Sequence, residues 1–250
     1  MISKSYIKEI KFLQQKKHRK DKGLFVVEGV KIVKDLLSSD FFPKEIFALN
    51  FFLIENKKLI AKIPKKDIHE ISNSDLERIS SLSSPNQVVA VFYSKVFAFN
   101  SSDTQNELVL ALDNIRDPGN LGTIIRTADW FGIKHVVCSE TCSDMYNPKT
   151  LQATMGSIAR VSVYYLDLIK LFTSSIGKNV FATVIDGENI YNDNLANSGY
   201  ILIGNEANGI SPGLRKYVTN EISIPRFSSG ADSLNVAMAT AIICSEFKRR

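Results

Sequence analysis

Five polar side chains stand just past apolar runs in the second half of the chain. Asn120 and Arg126 follow Leu108-Val109-Leu110-Ala111-Leu112, Glu206 follows Tyr200-Ile201-Leu202-Ile203, and Ser233 and Asn235 follow Glu221-Ile222-Ser223-Ile224. Glycines, a carboxylate and amides at the ends of buried strands make a ligand site, because open parallel sheets bind ligands outside the carboxyl ends of their strands. Several chemistries are excluded by spacing. The first apolar run is followed by Gly119 and Gly122 rather than G-x-G-x-x-G. Gly204-Asn205-Glu206-Ala207-Asn208-Gly209 lacks the middle glycine of that fingerprint, and no G-x-x-x-x-G-K-[ST] phosphate loop occurs. His18, His69 and His135 are not near a strand-end serine in a triad pattern, and no group of residues has metal-ligand spacing, so the expected metal set is none.

The elements that must position these residues read as an alternation of strands and helices. After the strand Leu108–Leu112 comes a polar loop from Asp113 to Gly122, then a helix from Thr123 to Phe131. Further strands are expected over Lys134–Cys138, Ala159–Tyr165, Val180–Ile185, Tyr200–Ile203 and Glu221–Ile224. Helices are expected over Asn147–Gly156 and Asp167–Ile176, a loop at Asp186-Gly187-Glu188, and an apolar helix after Val236. Such alternation implies a parallel sheet with crossover helices. Upstream lies a smaller α/β unit. Its expected strands are Leu24–Val27, Glu45–Leu49, Asp67–Ile71 and Val88–Tyr93. Its helices run over Val30–Leu37 and Phe52–Lys62, with a third opening at Ser74, where Glu77 completes a capping-box spacing. The expected domain organisation is 1–96, a linker over 97–106 containing Asn100-Ser101-Ser102-Asp103-Thr104, and 107–250.

Charge and composition narrow the partners. The chain has 250 residues, 44% hydrophobic and 23% charged, with a net charge of +5, as expected of a globular protein and compatible with a polyanionic partner. The most basic stretch is the first, where Lys4, Lys8, Lys11, Lys16, Lys17, Arg19, Lys20 and Lys22 face only Glu9 and Asp21. It reads as a short helix with a basic face followed by a basic loop to Gly23, either a solvated surface or a nucleic-acid contact. No apolar run approaches the roughly 20 residues that span a bilayer, so no membrane partner is expected. Three cysteines, Cys138, Cys142 and Cys244, form no disulfide framework; buried thiols in a reducing cytoplasm are expected.

Three segments together carry a family resemblance. Asn120-Leu121-Gly122-Thr123-Ile124-Ile125-Arg126-Thr127-Ala128 resembles the first motif of the SpoU-type (TrmH-like) RNA ribose 2′-O-methyltransferases of the SPOUT superfamily. Ile203-Gly204-Asn205-Glu206-Ala207-Asn208-Gly209-Ile210 resembles the second, and Ile224-Pro225 with Ser233-Leu234-Asn235-Val236-Ala237 the third. The resemblance covers 107–250. The first domain is similar to the family's substrate-binding domain, related in fold to a class of ribosomal RNA-binding proteins, chiefly through Phe25-Val26-Val27-Glu28-Gly29.

The resemblance implies a C-terminal parallel-sheet domain tied in a deep trefoil knot and a homodimer whose sites are completed across the interface. It also implies S-adenosyl-L-methionine held in bent form, with cofactor contacts carried over to Gly204, Ile224 and Leu234. An RNA substrate is implied as well, with ribosomal RNA expected ahead of transfer RNA. In the implied reaction Arg126 acts on the ribose hydroxyl. A guanidinium stays protonated, so binding phosphate and stabilising the incipient oxyanion is preferred to a general-base role. Asn120 shapes the substrate loop, Glu206 orients Arg126 or anchors a neighbouring loop, and Ser233 and Asn235 hydrogen-bond substrate or the arginine, with helix capping as a competing role for Ser233. Two departures stand out: Arg226-Phe227 occupies the place where the family often has a methionine after the proline, and the loop 227–232 is slightly longer than usual. The rival readings are a non-catalytic RNA-binding or assembly factor on the same fold and an enzyme of a different nucleotide ligand.

Overall fold

The structure is a computed structural model that describes residues 2–102, 104–175, 177–192, 195–230 and 232–249. Asp103 of the expected linker, Ile176 at the end of an expected helix, Ala231 of the 227–232 loop and Arg250 lie outside the described residues. The chain forms two compact units, one of residues 1–95 with 146–159, the other of 96–145 with 160–250.

The first unit is built on a four-stranded sheet, β1 (Leu24–Glu28), β2 (Pro43–Ala48), β3 (Ile68–Glu70) and β4 (Val88–Tyr93), in the order β1-β4-β2-β3. Its helices are α1 (Lys4–Phe12), α2 (Lys16–Lys22), α3 (Val30–Leu37), α4 (Asn50–Glu55), α5 (Lys57–Ile60) and α6 (Asn73–Ile79). The residues 16–22, expected as a basic loop, are helical. Arg19 explains it: the side chain is buried, and its Nη1 donates to Leu13 O at 3.0 Å and Gln14 O at 2.7 Å. A cation over these carbonyls satisfies acceptors left free just beyond α1. The cap of α6 is Ser72 rather than Ser74; its Oγ accepts from the Asp75 N–H at 3.1 Å. The preceding serine wins because Asp75 falls three residues after it, where a short carboxylate accepts from the serine hydroxyl in return.

Residues 146–159, expected to pack with the downstream sheet, belong to this first unit. Tyr146 stacks on Phe25 with ring centroids 4.3 Å apart, and its hydroxyl donates to Lys95 O at 2.8 Å. The helix that follows, Pro148–Thr154, is capped by Asn147.

Counting that helix as α8, the second unit contains β5 (Leu108–Leu112), α7 (Pro118–Trp130), β6 (His135–Cys138), β7 (Ser162–Tyr165), α9 (Leu168–Ser174), β8 (Val180–Asn189), β9 (Gly199–Ile203), α10 (Pro212–Arg215), β10 (Asn220–Ser223) and α11 (Val236–Arg249). The six strands are all parallel, ordered β10-β8-β9-β5-β6-β7. β5 and β9 are buried throughout, as apolar central strands of a parallel sheet must be. The order reverses beside β5, and Leu112 pairs with Ile203, so the loops opening at Asp113 and Gly204 start level with each other. The expected linker is pinned to this unit: Lys178 Nζ donates to Ser101 O at 3.1 Å and Thr104 O at 3.3 Å, and Phe99 packs edge-on against Tyr164.

Two boundaries differ in ways that matter for the site. α7 begins at Pro118, not Thr123, because Asp117 caps it by accepting from Asn120 N–H at 2.8 Å, with proline in the first turn. Asn120 is therefore helical. β8 continues through the expected loop at Asp186-Gly187-Glu188, but its register to β10 jumps: Ala182 pairs with Glu221 and Glu188 with Ile222. Residues 183–187 bulge out of the ladder, and Gly187 seats the chain on β10, where a Cβ would lie 2.8 Å from the Glu221 carbonyl carbon.

Replacing Arg19 by alanine strips two carbonyls of a charged donor, and the variant is expected to lose about 2–3 kcal/mol of stability. Urea unfolding measures it, and an unchanged midpoint would show that the α1–α2 turn does not depend on the guanidinium.

Candidate active site

The carboxyl ends of β9 and β10 and the middle of β8 border a cavity of about 740 Å³. Its wall is formed by the 204–209 loop, the bulge of β8, the segment after β10 and the start of α11. Gly204, Ile224 and Leu234, the three positions expected to touch a cofactor, all line it, as do Glu206 and Ser233. The volume lies within the few hundred to about 1,000 Å³ typical of small-molecule sites.

The 204–209 loop is held shut by its own main chain. Asn205 and Gly209 exchange two hydrogen bonds of 2.9 Å, and the Asn205 side chain accepts from Ala207 N–H and Asn208 N–H while donating to Asn114 O at 2.8 Å. Gly204 is required by this closure, since a Cβ there would lie 2.5 Å from the carbonyl carbon of Gly209. Beneath it, the buried carboxylate of Asp113 accepts from Ser211 N–H at 2.7 Å. Asn205, Asp113 and Asn114 were not among the expected site residues. Asn114 has φ +61°, and an Asn pair flanking two strand ends was the signal available for it.

Three of the five expected catalytic residues meet in one network. Asn120 Nδ2 donates to Glu206 Oε1 at 2.6 Å, and Asn235 Nδ2 donates to Asn120 Oδ1 at 3.1 Å and to Glu206 Oε1 at 3.5 Å. The Asn235 Oδ1 accepts from Ala237 N–H and Met238 N–H, so Asn235, and not Ser233, caps α11. With its oxygen committed to the helix, the Asn235 amide nitrogen must face the other two residues. Glu206 also accepts from Val236 N–H at 3.4 Å, placing a negative charge at the positive end of α11. Glu206 thus hydrogen-bonds the first turns of α7 and α11 from its own loop.

Arg126 and Ser233 stand apart from the network. Ser233 is exposed on the cavity wall and makes no hydrogen bond among the described residues. Arg126 lies in the third turn of α7, exposed, with no hydrogen bond or ion pair among the described residues. Six helical residues separate it from Asn120, which turns its side chain about 240° around the axis. Asn120, Arg126 and Asn235 are not on the cavity wall.

Beside the site, behind the end of β5, Cys142 donates to Leu112 O and accepts from Ile115 N–H, both at 3.3 Å. Its pKa is drawn down to about 7, first by the Cys138 thiol and then by Ser139 and main-chain amides, against the opposing effect of burial. Cys138 is pushed up by that same hydrogen bond and by its burial. All three cysteines are free and buried. Among the described residues no group of three or more His, Cys, Asp or Glu side chains is placed to hold a metal ion, and no helix is long and apolar enough to cross a membrane.

Comparison with known proteins places this geometry. Residues 107–245 match the SpoU rRNA Methylase family, and residues 4–90 match the MRM3-like substrate binding domain. The 23S rRNA (guanosine(2553)-2′-O)-methyltransferase RlmP of Bacillus subtilis is 30% identical over 246 residues, covering 95% of this chain and 93% of the relative. The 23S rRNA (guanosine-2′-O-)-methyltransferase RlmB of Neisseria meningitidis is 31% identical over 149 residues, 57% of this chain and 58% of that protein. A crystal structure of an AdoMet-bound rRNA methyltransferase from Sinorhizobium meliloti superposes with a TM-score of 0.87 at 30% identity, covering 100% of this chain and 97% of that one. The parallel-sheet unit with its three loop motifs is that of the same fold, and the chain belongs to the SpoU rRNA methylase family.

Proposed function

We propose that the protein transfers a methyl group from S-adenosyl-L-methionine to a ribose 2′-hydroxyl of ribosomal RNA. The observation that carries this reading is the coincidence of the cavity with the motif positions Gly204, Ile224 and Leu234. The residues present fit the cofactor. Ile222, Ile224 and the half-exposed Leu234 offer apolar surface to a flat base. The Ser233 and Leu234 N–H groups make no hydrogen bond among the described residues and are available to polar edges. Glu206, Asp186 and Asp232 supply negative charge around a cationic sulfur. The named relatives act on ribosomal RNA, which favours that substrate over transfer RNA.

When bound, the cofactor supplies an electrophilic methyl carbon whose C–S electron pair returns to sulfur on transfer. This chain has to align the hydroxyl and lower the cost of the negative charge that grows on its oxygen as the proton passes to solvent. Arg126 is the residue for that charge, as a permanently protonated donor to the neighbouring phosphate and the developing oxyanion. The Asn120–Glu206–Asn235 network acts as a positioning device that holds the starts of α7 and α11 against the cofactor loop. Ser233 hydrogen-bonds the substrate at the rim.

The active form is a homodimer, with Arg126 serving the cavity of the second copy. Arg126 and Trp130 lie four residues apart on one face of α7, and Trp130 is 84% exposed. Met238 on α11, a helix that packs against α7, is 61% exposed. Covering these side chains brings an otherwise unpartnered guanidinium to a neighbouring site. The loops around the cavity thread as a deep trefoil knot, and the free thiols suit a reducing cytoplasm.

In calorimetry at millimolar ligand the wild-type protein is expected to bind S-adenosyl-L-methionine, and Gly204→Ala to bind it at least about tenfold more weakly. No heat from the wild type would contradict the cofactor assignment. Arg126→Ala is expected to keep the wild-type affinity for the cofactor and to lose methyl transfer by roughly a hundredfold or more. Coexpressing Arg126→Ala with Gly204→Ala is expected to restore one working site per mixed dimer; no recovery would mean that Arg126 serves its own cavity.

A further inference from the structure

The basic start of the chain carries a feature that charge alone does not explain. Phe12, the last residue of α1, is 39% exposed and stacks on His18 of α2, with ring centroids 4.9 Å apart and planes 26° from parallel. The Lys8 ammonium lies over the Phe12 ring, 5.5 Å from its centroid. Lys11 on α1 and Lys16, Lys17 and Lys20 on α2 are all exposed, and none of them makes an ion pair among the described residues. The platform is rigid beneath. Ile7, Ile10 and Leu13 are buried in the core of the first unit, and Arg19 ties α2 to the end of α1 through Leu13 O and Gln14 O.

A solvated helix surface has no use for a partly exposed aromatic pair, which forfeits apolar burial. An interface for an acidic protein would use the lysines and leave the π faces idle. Single-stranded nucleic acid uses both, because bases stack on aromatic rings while the backbone follows ammonium groups. We propose that the α1–α2 face, centred on Phe12 and His18, is a docking surface for an unpaired stretch of the substrate RNA. Phe12 and His18 take a base, and Lys8, Lys11, Lys16, Lys17 and Lys20 take the phosphates. The proposal rests on the reading of the protein as an RNA enzyme and adds where, and in what conformation, the RNA is gripped.

The test uses the full chain and a fluorescein-labelled single-stranded RNA, with anisotropy titrations over a range of salt and calorimetry with S-adenosyl-L-methionine in parallel. Phe12→Ala is expected to weaken RNA binding roughly tenfold, and Phe12→Tyr to restore it. The triple variant Lys16→Gln, Lys17→Gln, Lys20→Gln is expected to flatten the slope of log K against log salt by about 2. All variants are expected to keep the wild-type heat of cofactor binding, which shows that they are folded. Wild-type affinity and slope in these variants would overturn the proposal, as would equal or tighter binding by the wild type to a duplex of the same RNA. A wild type that binds RNA through this face but takes up no cofactor would leave the surface standing and sink the methyltransferase reading instead.

Discussion

One carboxylate oxygen joins three distant parts of the second unit. Glu206 Oε1 accepts from the side chain of Asn120 on α7, from the side chain of Asn235 at the cap of α11 and from the Val236 N–H. These residues lie 86, 29 and 30 positions from Glu206 in the chain, so closing the contact orders two helices against the loop that walls the cavity. The donors leave each other little freedom: Asn235 has its oxygen on the helix, and its amide holds the oxygen of Asn120. The shared oxygen ties the first turn of α7 and the first turn of α11 to one loop.

The same commitment explains why Arg126 stands outside. The network joins Asn120, Glu206 and Asn235 to one another, and the helical geometry of α7 turns Arg126 away from Asn120. The exposed position of Arg126 beside the exposed Trp130 is the ground on which we propose that it serves a second copy's cavity.

Much of this was legible in the sequence. Fully apolar runs marked β5 and β9 as buried parallel strands, and the second and third loop motifs marked parts of the cavity wall. What was not legible came from interactions that skip along the chain or shift by a few residues. Asp117 captures the first turn of α7 and converts Asn120 from loop to helix. Arg19 turns a lysine run into a helix by satisfying carbonyls five and six residues back. Tyr146 draws residues 146–159 onto Phe25 of the first unit. The bulge in β8 depends on Gly187 meeting β10 across 34 residues of chain, from 187 to 221, a contact that local pattern cannot announce. Capping was the competing role read for Ser233, and only the geometry of Ala237 N–H and Met238 N–H gives it to Asn235.

The most direct measurement is to incubate the protein with unmodified ribosomal RNA and S-adenosyl-L-methionine carrying an isotopically labelled methyl group, then digest the RNA to nucleosides and locate the label by mass spectrometry. The account predicts label in a 2′-O-methylated nucleoside, on the ribose fragment. Label on a base, or none on any nucleoside, would contradict it.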